Sequence, residues 1–186
     1  MSRTYVYVHG FNSSCQSTSA QRLEEALQLP IHRLDYKSQN TFKENLDQLA
    51  LQVKDLEEVF LIGTSLGGFY ADQLLFTIGY PKACGCALFN PVVHPCDQLA
   101  QFLGKNKNFT TDEEYIFTKP TLASYADAPD TRGLQIPRVV YIAHDDELLD
   151  PLVALEYWKG HSKVVDIKGG HRISSFRPYA QEILGM

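Results

Sequence analysis

The sequence predicts an α/β fold with a mostly parallel central sheet and helices on both faces. Short segments rich in β-branched residues alternate with segments of helical length, which is typical of parallel sheets. Most of the short segments are continuous apolar runs, as expected for strands covered on both sides. The chain has 186 residues, 44% of them hydrophobic, which is enough to bury such a core. We find no linker or internal repeat and expect a single domain over residues 1–186.

Six strands are predicted from these apolar runs, in which β-branched and aromatic residues are frequent. Each is short and is bounded by residues that favour turns or helix ends. The predicted strands are residues 4–8, 31–34, 59–62, 86–89, 139–143 and 164–167.

Five helices are predicted between or after these strands. Thr41 and Glu44 have the spacing of a capping box, which marks a helix N-terminus. A second helix is expected to start near Gly67 and to end before Pro81, because proline cannot continue a helix. The other three helices are expected in these places: residues 18–29, after Pro151 and after Ser174.

Residues 95–136 interrupt the regular alternation. They contain the polar run Lys105-Asn106-Lys107-Asn108 and a second capping-box spacing, Thr111 to Glu114, which predicts a short helix. The segment is too long for an ordinary connection between a helix and a strand. We therefore expect it to form a minimal lid or the wall of a pocket.

Charge and cysteine spacing exclude several classes of function. Lys and Arg number 17 against 22 Asp and Glu, so the net charge is −5, and no basic run suggests a nucleic-acid surface. No apolar run approaches the ~20 residues that a membrane-spanning helix needs. The four cysteines lack paired zinc spacing, so we expect neither a metal site nor a disulfide framework.

The start of the chain favours a cytoplasmic protein. Met1, Ser2 and Arg3 are followed directly by the first predicted strand, without the apolar core of a signal peptide. Cys84-Gly85-Cys86 is interpreted as a group of small residues entering a strand.

The segment with the strongest functional signal is Gly63-Thr64-Ser65-Leu66-Gly67. It matches Gly-x-Ser-x-Gly, a predicted buried strand runs directly into it, and a predicted helix leaves it. This context is that of the nucleophile elbow of α/β hydrolases, in which a sharp turn exposes the serine hydroxyl at the edge of the sheet. The alternative is a glycine-rich turn that binds an anion at a helix N-terminus.

A serine nucleophile needs a general base, which is oriented by an acid. In this fold the chain order is serine, acid, histidine. His171 fits that order because it follows the last predicted strand across Lys168-Gly169-Gly170, at the carboxyl end of the strand. Most of the other histidines do not fit this order. His9, His32 and His94 come too early in the chain, and His161 lies at the wrong end of a strand.

The acid is expected directly after the strand at residues 139–143. Asp146 is preferred because Leu149, three residues later, would hold the loop against the core. Asp145 and Asp150 are the alternatives, although Asp150 before Pro151 is also typical of a helix N-cap.

An oxyanion hole needs two backbone N–H groups that point at the developing negative charge. Leu66, directly after the serine, is expected to supply one of them. The second is expected from Phe11, in the loop after the first strand, where Gly10 allows the chain to double back over the site. His9 is interpreted as a buried scaffold residue of that loop.

Together these segments resemble a known family. His9-Gly10-Phe11-Asn12-Ser13-Ser14, the residues around Ser65 and Asn90-Pro91-Val92-Val93-His94-Pro95 are similar to those of the small bacterial YqiA/YcfP-type esterases of the α/β-hydrolase superfamily. The similarity continues through Asp146 to the C-terminus. It implies a cytoplasmic ester or thioester hydrolase with little or no cap domain, and it assigns the triad to Ser65, Asp146 and His171.

The sequence therefore predicts a serine carboxylesterase or thioesterase that acts on small acyl esters or acyl thioesters and needs no cofactor. Candidates for an apolar acyl-binding wall are Phe11, Val92, Phe102, Phe109, Tyr115 and Phe117. The alternatives are a hydrolase fold that serves as a binding or interaction module, because fold alone does not fix function, and an amidase or acyltransferase with the same triad.

Overall fold

The computed structural model describes residues 3–186; the expectation about Met1 and Ser2 therefore lies outside the described residues. Its central feature is a six-stranded parallel sheet. The strands are β1 (Thr4–Val8), β2 (His32–Leu34), β3 (Val59–Thr64), β4 (Ala83–Phe89), β7 (Arg138–Ala143) and β8 (Lys163–Ile167), in the order β2-β1-β3-β4-β7-β8. All six predicted strands are confirmed within a few residues.

Helices cover both faces of this sheet, as the alternation predicted. The helices that flank the six strands are α1 (Thr18–Leu27), α2 (Phe42–Gln52), α3 (Leu66–Ile78), α6 (Pro151–Trp158) and α7 (Ala180–Gly185). Buried residues of α2, α3 and α6 pack on one face, and those of α1 and α7 pack on the other. The capping box of Thr41 and Glu44 is present at the start of α2.

The segment between β4 and β7 is built from short elements: α4 (Pro95–Gln98), β5 (Gly104–Lys107), β6 (Glu114–Phe117) and α5 (Lys119–Ala123). Strands β5 and β6 form an antiparallel hairpin, in which Gly104 pairs with Phe117. The predicted helix after Thr111 is wrong. The Asn108 carboxamide oxygen accepts the N–H groups of Thr110 and Thr111, at 2.8 and 3.0 Å, and this turn leads the chain into β6 instead.

The parallel arrangement brings the carboxyl ends of all six strands to one edge of the sheet. Strand β1 lies between β2 and β3, so the connections after β1 and β3 leave the sheet at a point where the strand order reverses. Ligands of such sheets bind at this edge and at this kind of switch point. The loops that follow β1, β3, β7 and β8 carry the predicted functional residues.

All four cysteines are free thiols, and Cys86 is buried in β4. Among residues 3–186, no helix is both long enough and apolar enough to cross a bilayer.

Candidate active site

Ser65 stands alone between the last residue of β3 and the first residue of α3. Its backbone has φ 55° and ψ −125°, a conformation that a residue with a side chain rarely adopts. The Ser65 N–H donates to the Phe89 carbonyl at 2.9 Å, and its own carbonyl accepts the Val92 N–H at 3.1 Å. The surrounding backbone therefore holds the strained turn in place, as in a nucleophile elbow.

Glycines allow this turn to pack backbone against backbone. A Cβ atom added at Gly67 would lie 2.2 Å from the carbonyl oxygen of Val8, at the end of β1. A Cβ atom at Gly63 would lie 2.1 Å from the carbonyl oxygen of Gly67. Both distances are far below van der Waals contact, so no side chain fits at either position while the turn keeps this shape.

The loop after β1, residues 9–14, lies directly beside Ser65. A Cβ atom added at Gly10 would lie 3.9 Å from the Ser65 hydroxyl oxygen. His9 is fully buried and stacks on Tyr36 with 4.3 Å between ring centroids, while its Nε2 lies 3.0 Å from an Asp35 carboxylate oxygen. These contacts of the His9 side chain with Tyr36 and Asp35 hold the loop in place, which agrees with the predicted role of a scaffold residue.

The two residues predicted to supply the N–H groups of the oxyanion hole directly follow Ser65 and Gly10 in the chain. Leu66 is the first residue of α3, where a helix has N–H groups without intrahelical partners. Phe11 follows Gly10 in the loop after β1. Within residues 3–186, neither of these N–H groups donates to a protein acceptor. Both remain available for a ligand oxygen.

His171 and Asp146 form the central polar pair of this edge. His171 Nδ1 lies 2.8 Å from Asp146 Oδ2, and the two side chains are only 8% and 3% exposed. The other carboxylate oxygen, Asp146 Oδ1, accepts the N–H groups of Leu148 and Leu149 at 2.8 Å each. The carboxylate is therefore fixed at both oxygens. This contact joins the loops after β7 and β8, as predicted for the acid and the histidine. Within residues 3–186, the Ser65 hydroxyl forms no hydrogen bond with His171.

The acidic residues on either side of Asp146 have a role that the sequence analysis missed. Asp145 accepts the N–H groups of Gly169 and Gly170 at 2.9 and 3.0 Å, and Glu147 accepts the His171 N–H at 2.8 Å. These hydrogen bonds lower the pKa of both carboxyl groups below their ordinary values. Both carboxylates therefore hold the backbone of the loop that carries His171.

Asp150, the other alternative acid, lies at the start of α6. Its carboxylate accepts the Leu152 N–H at 2.9 Å, which makes it the N-cap of that helix. Of the three predicted candidates, only Asp146 has its carboxylate against the His171 imidazole.

Asn90 is a third residue whose role at the site the sequence analysis missed. It directly follows β4 and has φ 43°. Its side-chain oxygen accepts the Ala143 N–H at 2.7 Å, and its side-chain nitrogen donates to the carbonyls of Gly170 and His171 at 3.1 and 3.0 Å. One amide therefore connects β4, β7 and the His171 loop. An Asn placed directly after a buried strand was the signal that could have identified it.

The predicted apolar wall is divided between the core and the surface. Val92 and Phe117 are buried in the core, and the Phe11 ring packs between Phe102 and Phe117 at centroid distances of 5.1 and 5.2 Å. Phe109, in contrast, is 70% exposed at the tip of the β5–β6 hairpin. Phe11, Phe102 and Phe117 therefore form one apolar cluster beside the loop after β1.

Comparison with solved structures agrees with this architecture. Est1E from Butyrivibrio proteoclasticus superposes with a TM-score of 0.75 at 14% identity, covering 99% of this chain and 89% of that one. The alpha/beta hydrolase domain-containing protein 10 from mouse gives 0.73 at 14% identity, with 100% and 88% covered. The monoacylglycerol lipase of Paleococcus ferrophilus gives 0.69 at 15% identity, with 97% and 92% covered. These similarities show that the fold is that of the α/β hydrolases, as predicted.

Sequence comparison identifies the family. The UPF0227 protein YE1706 of Yersinia enterocolitica is 24% identical over 188 residues, which cover 96% of this chain and 95% of that protein. The model of the family described as "Uncharacterised protein family (UPF0227)" matches residues 4–186. The predicted resemblance to the YqiA/YcfP-type proteins is confirmed, and the chain belongs to the UPF0227 family.

Proposed function

We propose that this protein is a serine hydrolase that cleaves small acyl esters or thioesters through an acyl-enzyme intermediate. The observation that supports this most strongly is the 2.8 Å contact between His171 Nδ1 and Asp146 Oδ2, at the edge of the sheet where Ser65 lies. When the Asp146 carboxylate accepts a hydrogen bond from the His171 Nδ1–H group, the imidazole keeps a lone pair on Nε2. An imidazole in that tautomer can act as a general base.

In the first half of the proposed reaction, the Ser65 hydroxyl oxygen attacks the acyl carbonyl while its proton passes to His171 Nε2. The negative charge that develops on the carbonyl oxygen is stabilised by the N–H groups of Leu66 and Phe11. Asp146 stabilises the imidazolium and does not itself become protonated. The bond to the alcohol or thiol then breaks, and the leaving group takes the proton from Nε2.

In the second half, His171 Nε2 removes a proton from water, whose oxygen attacks the acyl carbonyl of the Ser65 ester. The same two N–H groups stabilise the second tetrahedral intermediate. When it collapses, the bond to the serine oxygen breaks, Ser65 recovers its proton from His171, and the carboxylic acid leaves. Both halves therefore depend on the same oxyanion contacts.

The packing beside the site favours short acyl groups. The Phe11 ring packs against both Phe102 and Phe117, so a long acyl chain would have to separate rings that already cover one another. We therefore propose acyl chains of a few carbons, on either an oxygen or a sulfur leaving group.

The test is covalent labelling with a fluorophosphonate probe, together with turnover of p-nitrophenyl and coenzyme A esters of increasing acyl length. We expect the wild-type protein to be labelled and Ser65→Ala to remain unlabelled, with turnover reduced roughly 10⁴–10⁶-fold. Ser174→Ala is the control, because this exposed serine lies in the His171 loop away from the elbow. Folded wild-type protein that neither reacts with the probe nor hydrolyses any ester would overturn the proposal in favour of a binding module.

A further inference from the structure

Asn12 directly follows Phe11 and is held unusually firmly for a loop residue. It is 5% exposed and has φ 57°, in the left-handed region that asparagine tolerates better than most residues. Its N–H donates to the Ser38 hydroxyl at 3.0 Å, and its carbonyl accepts the Phe109 N–H at 2.8 Å. The backbone N–H and the carbonyl of Asn12 are therefore both held by residues that lie outside this loop.

The Asn12 side chain is fixed in the same way. Its amide nitrogen donates to the Asn106 side-chain oxygen at 3.0 Å, and its oxygen accepts the Tyr115 hydroxyl. All four polar groups of Asn12 thus have partners. Three of those partners (Asn106, Phe109 and Tyr115) belong to the β5–β6 hairpin and its turn.

The same hairpin also contacts the residues on either side of Asn12. The Asn108 side-chain amide donates to the Ser13 carbonyl at 2.7 Å. On the other side, the Phe11 ring meets Phe117, the last residue of β6, almost edge-on, with an interplanar angle of 75°. The hairpin therefore contacts three consecutive residues, Phe11, Asn12 and Ser13. The N–H group of Phe11 is the candidate oxyanion donor.

We propose that Asn12 and Tyr115 are positioning residues, which fix the Phe11 N–H for the oxyanion through the β5–β6 hairpin. This inference rests on the proposed function. An oxyanion donor contributes only when it lies about 2.7–3.1 Å from the position the oxygen will occupy, so a small rotation of the Gly10–Phe11 peptide, which carries the Phe11 N–H, would weaken it. The network fixes the next peptide, whose N–H belongs to Asn12, and it packs the Phe11 ring against Phe117. It thereby restrains that rotation before substrate binds.

The Tyr115 hydroxyl is suited to this role because it keeps its proton, and so remains a donor, well above neutral pH. Burial raises its pKa to about 12. Asn12 Oδ1 can only accept a hydrogen bond, and a tyrosinate would repel it. The contact is therefore insensitive to pH near neutrality.

Two substitutions test the network with little disturbance of the fold. Tyr115→Phe removes one hydroxyl and keeps the ring, while Asn12→Gly removes the side chain and still permits the positive φ. Tyr157→Phe is the control, because Tyr157 is a half-buried tyrosine of α6 that lies outside this network. Each variant is titrated with the fluorophosphonate probe, so that turnover is expressed per reactive serine.

We expect kcat per reactive serine to fall about tenfold in Tyr115→Phe and about a hundredfold in Asn12→Gly, as for a displaced oxyanion donor. KM for a short-chain ester should stay within about twofold, because acylation and deacylation lose the same contact. Affinity for a trifluoromethyl ketone, whose adduct carries an oxyanion, should fall in the same proportion as kcat.

A purely structural role would give a different result: fewer reactive sites or a lower melting temperature, with kcat per reactive serine and ketone affinity unchanged. That outcome would overturn the inference while leaving the proposed function intact. Retention of wild-type hydrolysis by Ser65→Ala would instead overturn the proposed function. A loss of kcat in the Tyr157→Phe control equal to that in Tyr115→Phe would also overturn the inference.

Discussion

The turn that carries Ser65 and the loop that carries His171 lie at the same edge of the sheet, but different forces hold them. At Ser65, the turn packs directly on the end of β1, and no side chain fits at Gly67. In the His171 loop, Gly169 and Gly170 have φ values of 130° and 73°, and hydrogen bonds to Asp145 and Glu147 hold the backbone.

Because of this difference, we expect the Ser65 turn to be sensitive to added atoms and the His171 loop to be sensitive to pH. A position set by steric exclusion does not depend on pH or salt, but it fails when a single methyl group is added. A position set by carboxylates tolerates small changes of shape, but it weakens when those groups are protonated. The Ser65 turn is thus held by backbone packing and uncharged hydrogen bonds, whereas two carboxylates contribute to holding the His171 loop.

The largest expected effect is a loss of kcat, and it tests the carboxylate contacts of His171. In Asp146→Asn, an amide replaces the carboxylate at Nδ1, so the imidazole is held in the wrong tautomer and kcat should fall about 10⁴-fold. Asp150→Asn is the matched control, because asparagine also caps helices well, and its kcat should match wild type. Equal losses in both variants would contradict the assignment of Asp146.

The next effect is a loss of stability, and it tests the close backbone packing at the Ser65 turn. Gly67→Ala should lower the free energy of unfolding by about 3 kcal/mol or more, because the added Cβ overlaps the carbonyl oxygens of Val8 and His9. Chemical denaturation measures this loss. Gly133→Ala should be within about 0.5 kcal/mol of wild type, since a Cβ there meets nothing within 4 Å. A stable Gly67→Ala protein with normal turnover would show that the turn can relax.

A smaller effect is expected where the two regions are joined. Asn90→Gly keeps the positive φ but leaves the buried Ala143 N–H without its partner, at a cost of about 1–3 kcal/mol. It also releases the carbonyls of Gly170 and His171, so kcat should fall about tenfold. Gln28→Gly, at an exposed position with φ 54°, is the control for the change to glycine. Unchanged stability and turnover in Asn90→Gly would remove Asn90 from the site.

The smallest effect is a dependence on acid. The pKa of Glu147 is lower in the folded protein than its ordinary value of 4.5, so its stabilising effect is complete above that value and is lost as the pH falls through the folded pKa. Between pH 6 and 3, the urea midpoint of Glu147→Gln should therefore fall less steeply than that of wild type. Parallel curves would show that the Glu147 contact to His171 contributes nothing measurable.

The sequence predicted best what depends on local pattern. The strands were recognisable because buried parallel strands are continuous apolar runs, and the turn at Ser65 because its shape demands glycine at Gly63 and Gly67. The hairpin was missed because Thr111 and Glu114 have the spacing of a capping box, while the competing turn at Asn108 depends on a strand pairing that is distant in sequence.

The candidate site was predictable in outline for a similar reason. Chain order and strand ends indicated Ser65 and His171, and Leu149 favoured Asp146, but the local sequence left Asp145 and Asp150 as alternatives. Their separate roles depend on where the backbone of the His171 loop lies, which is a tertiary property. The contacts of Asn90 and Tyr115 depend on tertiary structure in the same way, because their partners are 53 and 103 residues away in the chain.

The position of Asn90 before Pro91 has a consequence for the chemical ageing of the protein. Asparagine deamidates when the next backbone nitrogen attacks the side-chain amide, and the proline nitrogen carries no hydrogen to lose in that step. Conversion to aspartate would place a negative oxygen against the carbonyls of Gly170 and His171. The residue that joins the two regions is thereby protected from the commonest spontaneous lesion of its type.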